Sequence, residues 1–563
     1  MVSFEPVRVG SASGAVMDLP QNLSILAKHA EVDFIIGDWM SEYNMTKRGA
    51  AKASRREPEP AGTAEYEDQF VESLEPALED IQRRGIRLAV NAGASDAEKL
   101  YGEVTALIHS KGLSLKVAWI EGDEVFDAVQ NGIDAGHQFT NITTGENLSD
   151  WEFDPIYAQG YLGCCGIVEA LRAGADIVIC GRVADAAPTM AAAAFWHGWS
   201  RTHYAELAHS LIAGHLIECS FYVTGGNFSG FKSLAQGTSC LLDPPIAHIF
   251  SDGTFEVRKH ESGCRSGQVT RDTCRSQLLY ELQGKRYYNS DVVALVDQIT
   301  IEEKEDNVVL VKNIGFDRPP PTTKIGMTAH GGFQAEVHYF FTGLDIQEKA
   351  VLLEKQLRTI LDTKSMSLLK FTTTGSAATD PASQDLATVD FRVFAQSRDE
   401  SALSSDNFLR PCFNIVMSTY PGATFATDAR QALPKPYLEY FVTILPQALM
   451  HHRAHLPGLG LIIDIPAPTD TVPYICHQDI EESATKRAPD SSGPFTSAPM
   501  GYVVHARSGD KGSDCNVGFY VRYEDEYEWL CTLLTTSKIM EMLGKDYKGG
   551  RIERFELPNI QGT

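Results

Sequence analysis

The sequence lacks long hydrophobic runs, and no apolar stretch approaches the roughly 20 residues that a membrane-spanning helix needs. Its N-terminus, MVSFEPVRVGSASG, has neither the apolar centre of a secretory signal nor the Arg-rich amphipathic pattern of a transit peptide. We therefore expect a protein of the cytoplasm that is not embedded in a membrane.

Basic residues are also scarce. The sequence has 49 Lys and Arg against 74 Asp and Glu, which gives a formal net charge of -25. Because no basic run reverses this charge locally, the composition argues against binding to nucleic acid or to acidic membrane surfaces. An anionic substrate would need a local cluster of positive side chains.

The 11 cysteines show no CxxC spacing, and Cys164 and Cys165 are adjacent. This usage indicates buried free thiols in a reducing compartment rather than a disulfide framework. With 563 residues, of which 43% are hydrophobic, the chain has enough apolar mass for a large core and more than one domain.

Helix and strand patterns alternate along residues 7–243. Apolar stripes predict helices from Leu23 to Ala30, Tyr66 to Arg84, Ala97 to His109, Leu162 to Gly174 and Tyr204 to Ile217. Short apolar runs predict strands from Val7 to Val9, Val32 to Ile36, Ile86 to Val90, Leu113 to Trp119 and Ala175 to Cys180. This alternation predicts an α/β fold with a mainly parallel sheet in the N-terminal half.

The pattern changes after Asp243. Residues 244–465 combine hairpin and helix signals, and they predict an α+β second half of one main domain that covers residues 7–465. Residues 466–498 are rich in Pro, Ser, Thr and charge, which predicts a linker. Residues 499–560 predict a small α/β sandwich with strands from Met500 to Ser508, Val517 to Tyr523 and Ile552 to Leu557 around two helices.

Polar residues follow each predicted strand of the parallel sheet. They are Ser11, Asp38, Asn91, Asp123 and the pair Arg182 and Asp185. Because the carboxyl ends of parallel strands meet at one edge, we expect these side chains to converge there. For Asp123 a helix cap is the favoured interpretation, whereas a ligand site and a structural pair explain Arg182 and Asp185 equally well.

His215 and Glu218 are three residues apart in the predicted helix that begins at Tyr204, so they share a face. Such a pair can act as a general base with its orienting carboxylate, or supply two metal ligands. A helix-terminal histidine with a single hydrogen bond is the alternative, and the spacing alone favours it.

Two glycine-containing segments are candidate ligand loops. The sequence RSGDKG at residues 507–512 could hold a carboxylate or phosphate through Arg507, Lys511 and backbone amides, with a solvated, internally paired turn as the alternative. The sequence GSASG at residues 10–14 is a weaker candidate for a nucleotide-binding loop, with a plain tight turn as the alternative.

Several long motifs occur in an order that resembles a known family. They are VRVGSASG, YLG followed by IVEALRAGADIVICGRVADAA, GHLIECS with GGNFSG, VTRDT with SQLLYEL, TVDFRVF, YPGA and HARSGDKGSDCNVG. Together they resemble the acyclic terpene utilisation AtuA family, from about Val7 to Ile465 for its main domain and from about Met500 to Leu557 for a C-terminal ferredoxin-fold domain. The resemblance implies a place in the metabolism of branched acids as acyl-CoA thioesters, and it favours GRVAD and RSGDKG as site motifs.

We therefore expect a lyase or hydratase that acts on a branched carboxylic acid or its acyl-CoA thioester, in terpenoid or polyketide-like metabolism. In this hypothesis Asp185 or His215 transfers a proton, Glu218 orients the histidine and Arg182 binds a carboxylate. The remaining substrate-binding residues of the hypothesis are Ser11, Asp38, Asn91, Arg507, Asp510 and Lys511. No redox cofactor is expected, and the sequence leaves a divalent metal open.

Three other functions stay open. A hydrolase of a related ester or lactone would use the same residues with water as the nucleophile. A non-catalytic partner of an acyl-CoA carboxylase or a biosynthetic enzyme would present a large exposed apolar patch. In each case we expect a homo-oligomer, and for the enzymes a small anionic substrate. A nucleotide-dependent enzyme rests only on the loop at Gly10.

Overall fold

The computed structural model describes residues 5–55, 65–234, 239–478, 496–511 and 514–563, with the backbone alone at Lys511. Contacts divide the chain into two compact units. The first comprises Met1–Trp151, Tyr157–Met327 and Tyr440–Thr563, and the second comprises Glu152–Ile156 and Thr328–Glu439. Residues 244–327 therefore belong to the same unit as the N-terminal α/β segments.

The helices of the described residues are α1 (Gln21–His29), α2 (Glu42–Ala53), α3 (Gln69–Leu74), α4 (Leu78–Arg84), α5 (Ala97–Ser110), α6 (Phe126–Asp134), α7 (Cys165–Arg172), α8 (Ala187–His197), α9 (Tyr204–Ile217), α10 (Arg271–Leu279), α11 (Ile346–Ile360), α12 (Arg410–Asn414), α13 (Glu524–Leu533) and α14 (Thr536–Leu543). None of these described helices is both long and apolar enough to cross a bilayer.

The strands are β1 (Val7–Ser11), β2 (Phe34–Gly37), β3 (Arg87–Val90), β4 (Val117–Glu121), β5 (Pro155–Gly160), β6 (Ile177–Ile179), β7 (Pro245–Ile249), β8 (Phe255–Lys259), β9 (Arg286–Tyr288), β10 (Val293–Leu295), β11 (Thr300–Glu305), β12 (Val308–Lys312), β13 (Gly315–Asp317), β14 (Thr322–Thr342), β15 (Leu368–Thr374), β16 (Thr388–Ser397), β17 (Thr424–Phe425), β18 (Lys435–Pro446), β19 (Arg453–Leu456), β20 (Leu461–Asp464), β21 (His505–Lys511) and β22 (Asp514–Tyr520).

The first unit is built on a large mixed sheet with the strand order β11-β12-β8-β7-β1-β2-β3-β6-β4-β19-β20. Its centre, β1-β2-β3-β6-β4, is parallel throughout, as the alternation of helices and strands predicts. The flanking strands on both sides, which come from residues 245–464, are antiparallel, so the parallel sheet expected for the N-terminal half forms only the centre of a larger mixed sheet. The chain is therefore a mixed α/β protein with a parallel centre.

Side chains of the central strands alternate between two apolar layers, one on each face of the sheet. Phe34 and Ile36 pack in the layer that contains α8 and α9, whereas Ile35 packs with α1 on the other face. Successive side chains of a strand point to opposite faces, and both faces are covered here, so short, wholly apolar runs predict these strands well. Both faces are covered, so the open part of the sheet is its edge.

Local breaks follow from single residues. The predicted helix from Tyr66 to Arg84 is divided into α3 and α4 by a short 3-10 turn at Glu75–Ala77, which contains Pro76. Proline removes a backbone donor and crowds the preceding turn, so the helix cannot continue regularly through it. After α7, Gly174 has a φ of +97°, the left-handed conformation that lets the chain turn into β6.

The C-terminal segment differs from its predicted form. The strands β21 and β22 pair over their whole length, so the RSGDKG sequence begins within a hairpin strand rather than forming a loop between strands. The expected strand from Ile552 to Leu557 is absent from the described residues. Within that segment only Leu557 forms an isolated bridge. Residues 466–478 and 496–498 of the predicted linker contain no helix or strand, and its residues 479–495 lie outside the described ranges.

The second unit has its own sheet and core. Strands β15, β16 and residues 333–342 of β14 pair antiparallel. Leu353 and Leu357 of α11 pack in its apolar core with Tyr339 and Phe391. The buried residues of α11 are Lys349, Ala350, Leu353 and Leu357, so the helix covers this core with one face.

Candidate functional site

The polar residues after β2 and β3 meet at the carboxyl edge of the parallel strands. Asn91 donates a hydrogen bond from Nδ2 to Oδ1 of Asp38, and its own Oδ1 accepts one from the Trp39 amide at 2.7 Å. Asp38 also accepts a hydrogen bond from the amide of Met40 at 2.9 Å. The sequence-based expectation that these two residues converge agrees with this arrangement.

Asp123 holds the start of the GRVAD segment. Its Oδ2 accepts hydrogen bonds from the amide of Arg182 at 2.7 Å and from Nε2 of Gln159 at 2.6 Å. A Cβ at Gly181 would lie 2.1 Å from the same oxygen, so only glycine permits this approach. Asp123 therefore anchors a neighbouring strand end; the helix that follows it, α6, has Val125 at its N-cap, so the predicted role of Asp123 as a cap is wrong.

Arg182 is a buried cation, with 1% of its surface exposed. One Nη donates to Asp185, and its guanidinium lies 4.1 Å from the centre of the Tyr161 ring. Burial opposes its charge, but attraction to Asp185, Tyr161 and Asp38 outweighs this and raises the pKa of Arg182. Its Nε and Nη1 have no hydrogen-bond partner among the described residues.

Asp38 is a buried carboxyl close to a like charge. Burial, and then repulsion from Asp185, raise the pKa of Asp38 to about 8, although Arg182 and the hydrogen bond from Asn91 oppose the shift. The raised pKa favours the protonated form of Asp38 at neutral pH, which leaves Asp185 as the main negative partner of Arg182.

His215 and Glu218 form the contact that their spacing predicts. Nδ1 of His215 lies 3.4 Å from Oε1 of Glu218, and Nε2 lies 3.1 Å from the carbonyl oxygen of Leu278. Both side chains are almost fully buried. Burial lowers the pKa of His215, but the hydrogen bond and charge of Glu218 outweigh it, so the net shift is upward.

Three carboxylates from three parts of the chain meet beside this pair. Asp185, Glu218 and Glu281 each present one oxygen, and these oxygens lie within 4.8 Å of one another. Burial raises the pKa of Glu218 to about 7; His215 opposes the shift, whereas Asp185 and Glu281 add to it. We refer to these three residues as the carboxylate cluster.

A cavity of about 130 Å³ opens beside the carboxylate cluster and has room for roughly ten water molecules. Asp185 and Glu281 line it, whereas Arg182 and His215 do not. The other lining residues that carry a charge or an ionisable hydroxyl are Tyr161, Arg286, Tyr287, Tyr288, Lys324 and Tyr474. Tyr287 connects the cavity to the buried pair, because its hydroxyl lies 3.4 Å from Nδ1 of His215.

Two expected residues do not line the cavity. The cations that line it are Arg286 and Lys324, which the sequence did not mark, whereas Arg182 lies outside the lining. His215 also lies outside the lining, and its Nδ1 is 3.4 Å from the hydroxyl of the lining residue Tyr287. Glu281 lines the cavity and belongs to the SQLLYEL motif, but no pattern in the sequence marks it as a site residue.

The loop after β1 is accounted for by close packing. Ser11 is fully buried, and its carbonyl oxygen accepts a hydrogen bond from Oγ of Ser220 at 3.2 Å. A Cβ at Gly14 would lie 2.5 Å from the Cα of Cys219. The small residues of GSASG therefore allow the loop to pack against the end of α9, and Ser11 is not among the residues that line the cavity.

The RSGDKG motif lies away from the cavity lining. The guanidinium of Arg507 lies 4.2 Å from the centre of the Tyr222 ring and 4.4 Å from that of Tyr280. Asp510 is exposed and pairs with Cys515 across the hairpin, and the Lys511 side chain lies outside the described residues. Neither Arg507 nor Asp510 lines the cavity, and Arg507 packs against the two tyrosine rings instead.

The hairpin instead supports the turn that carries Glu281. Asn516 accepts a hydrogen bond from the amide of Glu281 at 2.8 Å and donates one to the carbonyl of Leu279 at 2.6 Å. Cβ atoms added at Gly509 and Gly518 would lie 2.6 Å from Tyr280 and 2.4 Å from Leu279. The glycines of the C-terminal motif thus let the hairpin approach this turn closely.

Comparison with known proteins agrees with the motifs. A family model described as acyclic terpene utilisation family protein AtuA matches residues 7–456, and one described as the AtuA ferredoxin-like domain matches residues 498–563. Searches of curated proteins and of solved structures find no match. Because the first family model covers well over half of the sequence, the chain belongs to the acyclic terpene utilisation AtuA family and ends in that family's ferredoxin-like domain.

Proposed function

We propose that this chain is a lyase or hydratase that acts on a branched carboxylic acid or its acyl-CoA thioester in small-molecule metabolism. The family supports a place in terpene utilisation. The observation that carries the proposed reaction type is the contact of a cavity-lining tyrosine, Tyr287, with the buried His215 and Glu218 pair. Lyases and hydratases need a proton donor and acceptor at the reacting carbon or its leaving group.

Tyr287, His215 and Glu218 provide a path for that proton. Nε2 of His215 is held by the carbonyl of Leu278, so Nε2 carries the hydrogen and Nδ1 is left to accept a proton from the Tyr287 hydroxyl. Glu218 lies beside the same Nδ1 and stabilises the imidazolium that forms. Tyr287 exchanges the proton with the substrate, and His215 stores it out of contact with the cavity.

Lys324 and Arg286 provide the positive charge that an anionic substrate needs. Both line the cavity, and Nζ of Lys324 lies 4.2 Å from the centre of the Tyr161 ring, which fixes its position on the wall. In a chain with a net charge of -25, these two cations supply the local attraction for a carboxylate. The substrate carboxylate therefore lies at Lys324, with its reacting carbon towards Tyr287.

Untargeted metabolite profiling tests this proposal. A strain that lacks the gene is complemented with the wild type, with Tyr287→Phe or with Tyr288→Phe. The last variant is the control, because the Tyr288 hydroxyl also lies at the cavity but accepts a hydrogen bond from the Ile475 amide at 3.1 Å. We expect the same branched acid to accumulate in the deletion and in Tyr287→Phe, and its level to be restored by Tyr288→Phe.

Two outcomes contradict the proposal. If Tyr287→Phe restores the metabolite profile as well as the wild type does, the relay is not used. If the accumulating compound is an ester or lactone whose hydrolysis product is missing, the chain is a hydrolase that uses the same cavity.

A further inference from the structure

We infer that the carboxylate cluster of Asp185, Glu218 and Glu281 binds one divalent cation of the Mg²⁺ or Mn²⁺ type at the wall of the cavity. This inference deepens the proposed function, because it places an ion beside the bound substrate.

The geometry of the carboxylate cluster suits a single ion. An octahedral ion with oxygen ligands at about 2.1 Å separates those ligands by about 3 Å when adjacent and about 4.2 Å when opposite. The three carboxylate oxygens lie within 4.8 Å of one another, only slightly wider than this span. Modest side-chain movement therefore brings all three into one coordination sphere.

Glu218 supplies an observation that is independent of this proximity. It is 1% exposed, and its Oε2 is buried with no hydrogen-bond partner among the described residues. Its other oxygen, Oε1, faces His215. An unpaired buried carboxylate oxygen is costly, so a cation bound through Oε2 would satisfy an atom for which the described residues supply no donor.

Neighbouring groups hold two of the three ligands in place, as metal-binding side chains require. Arg182 is bound to Asp185, and His215 contacts Glu218. Asp185 and Glu281 line the cavity, so the remaining coordination positions of the ion face the space available to substrate or water. An ion in this position is open on one side, which is the arrangement of catalytic rather than structural metal sites.

The donor atoms select the type of ion. All three are carboxylate oxygens, which favour the hard cations Mg²⁺ and Mn²⁺ over the zinc and copper ions that imidazole and thiolate attract.

The described residues contain another acidic group with thiols, Cys164, Cys165 and Asp291. There, both oxygens of Asp291 already accept hydrogen bonds, from the Cys164 amide at 2.6 Å and the Cys165 thiol at 3.2 Å. The unpaired carboxylate oxygen is found only in the first group.

Titration with MnCl₂ tests the inference on the full-length chain, after EDTA treatment and desalting, with free Mn²⁺ measured by electron paramagnetic resonance. We expect one Mn²⁺ per chain, displaced by Mg²⁺. Glu218→Gln and Glu281→Gln should each weaken binding at least tenfold, whereas Asp291→Asn should bind as the wild type does. Circular dichroism verifies the fold of each variant, and Glu281→Gln is decisive if Glu218→Gln does not fold.

Three results overturn the inference: a wild type without a stoichiometric site, a Glu281→Gln variant that binds as tightly as the wild type, and loss of the ion in Asp291→Asn. The test uses no substrate, so it fails separately from the proposed function. If the chain binds one ion but the proton relay proves inactive, the metal site stands and the proposed reaction is rejected. If activity resists EDTA and no ion binds, the proposed reaction stands and the metal site is rejected.

Discussion

The segments Gly181–Asp185 and Arg507–Lys511 both combine Gly, Arg and Asp, the first shortly after β6 and the second within β21, yet they stabilise the molecule in different ways. In the first, buried polar groups hold one another: Asp123 binds the backbone of Arg182, whose guanidinium binds Asp185. In the second, Arg507 lies against two tyrosine rings and Gly509 allows close packing. A charged, glycine-containing motif thus indicates close approach, but it does not by itself indicate a ligand.

The largest difference between the two segments should appear when each arginine is replaced. Arg182→Met leaves Asp185 buried without its cation, so we expect a loss of about 3–5 kcal/mol in the free energy of unfolding. Urea denaturation measures it, with Arg83→Met as the control for removing an exposed helical ion pair, at about 0.5 kcal/mol or less. A loss at Arg182 no larger than that of the control would show that its charge is not needed to balance the buried acids.

Gly518→Ala tests the close packing of the C-terminal hairpin. The added Cβ would lie 2.4 Å from the Cβ of Leu279, so the hairpin must shift away from the turn, at a cost of about 2 kcal/mol. Gly501→Ala, in the same segment but with no atom within 4 Å of the added Cβ, should change stability little. Thermal unfolding of both variants decides the point, and equal melting temperatures would contradict close packing.

Arg507→Leu should have a smaller effect than Arg182→Met, because it removes two cation–π contacts, and the residues that the structure describes give Arg507 no ion pair. We expect a loss of about 1–2 kcal/mol, and Arg507→Lys should recover part of it, since an ammonium retains the charge but not the planar stacking. If Arg507 instead binds substrate, Arg507→Leu would leave the urea midpoint unchanged and alter the metabolite profile.

The smallest effect at pH 5 should come from Asp38→Asn, because the native carboxyl is already protonated there. Its folded pKa of about 8 exceeds the ordinary value of 3.8 for an aspartate, so the folded chain binds more protons than the unfolded chain between these values. The contribution of Asp38 to the free energy of unfolding of the wild type is therefore lost as the pH rises from about 4 to 8. Over this range the stability of Asp38→Asn should increase relative to that of the wild type. Unfolding in metal-free buffer at several pH values measures this; a variant that is less stable at every pH would mean that Asp38 is ionised and paired.

The sequence predicts the central strands and their polar ends well, since each depends on a short local pattern. The helix Tyr204–Ile217 has the predicted bounds, and Asp38, Asn91, Arg182 and Asp185 meet at the predicted edge. The antiparallel strands beside β1 and β4 were not predicted as parts of this sheet, because their pairing joins residues more than a hundred positions apart. Such pairing is decided by long-range packing rather than by local propensity.

Long-range packing also explains which part of the candidate site the sequence does not predict. Glu281, Tyr287 and Lys324 come from the second half of the main domain, where no parallel strand end marks a position. These residues line the cavity only because of the way in which that region packs against α9. Short local patterns therefore predict the buried groups behind the cavity, but they do not predict most of the groups that line it.

The two hydrogen bonds of Asn516 tie the C-terminal segment to the main domain. The turn at Leu279–Glu281 obtains its backbone partners from residue 516, far along the chain, and Arg275 of α10 likewise donates to Gln561. Without residues 498–563 this turn would lose both backbone partners, and Arg275 would lose the acceptor oxygen of Gln561. The main domain and its small C-terminal companion are therefore structurally interdependent in this chain.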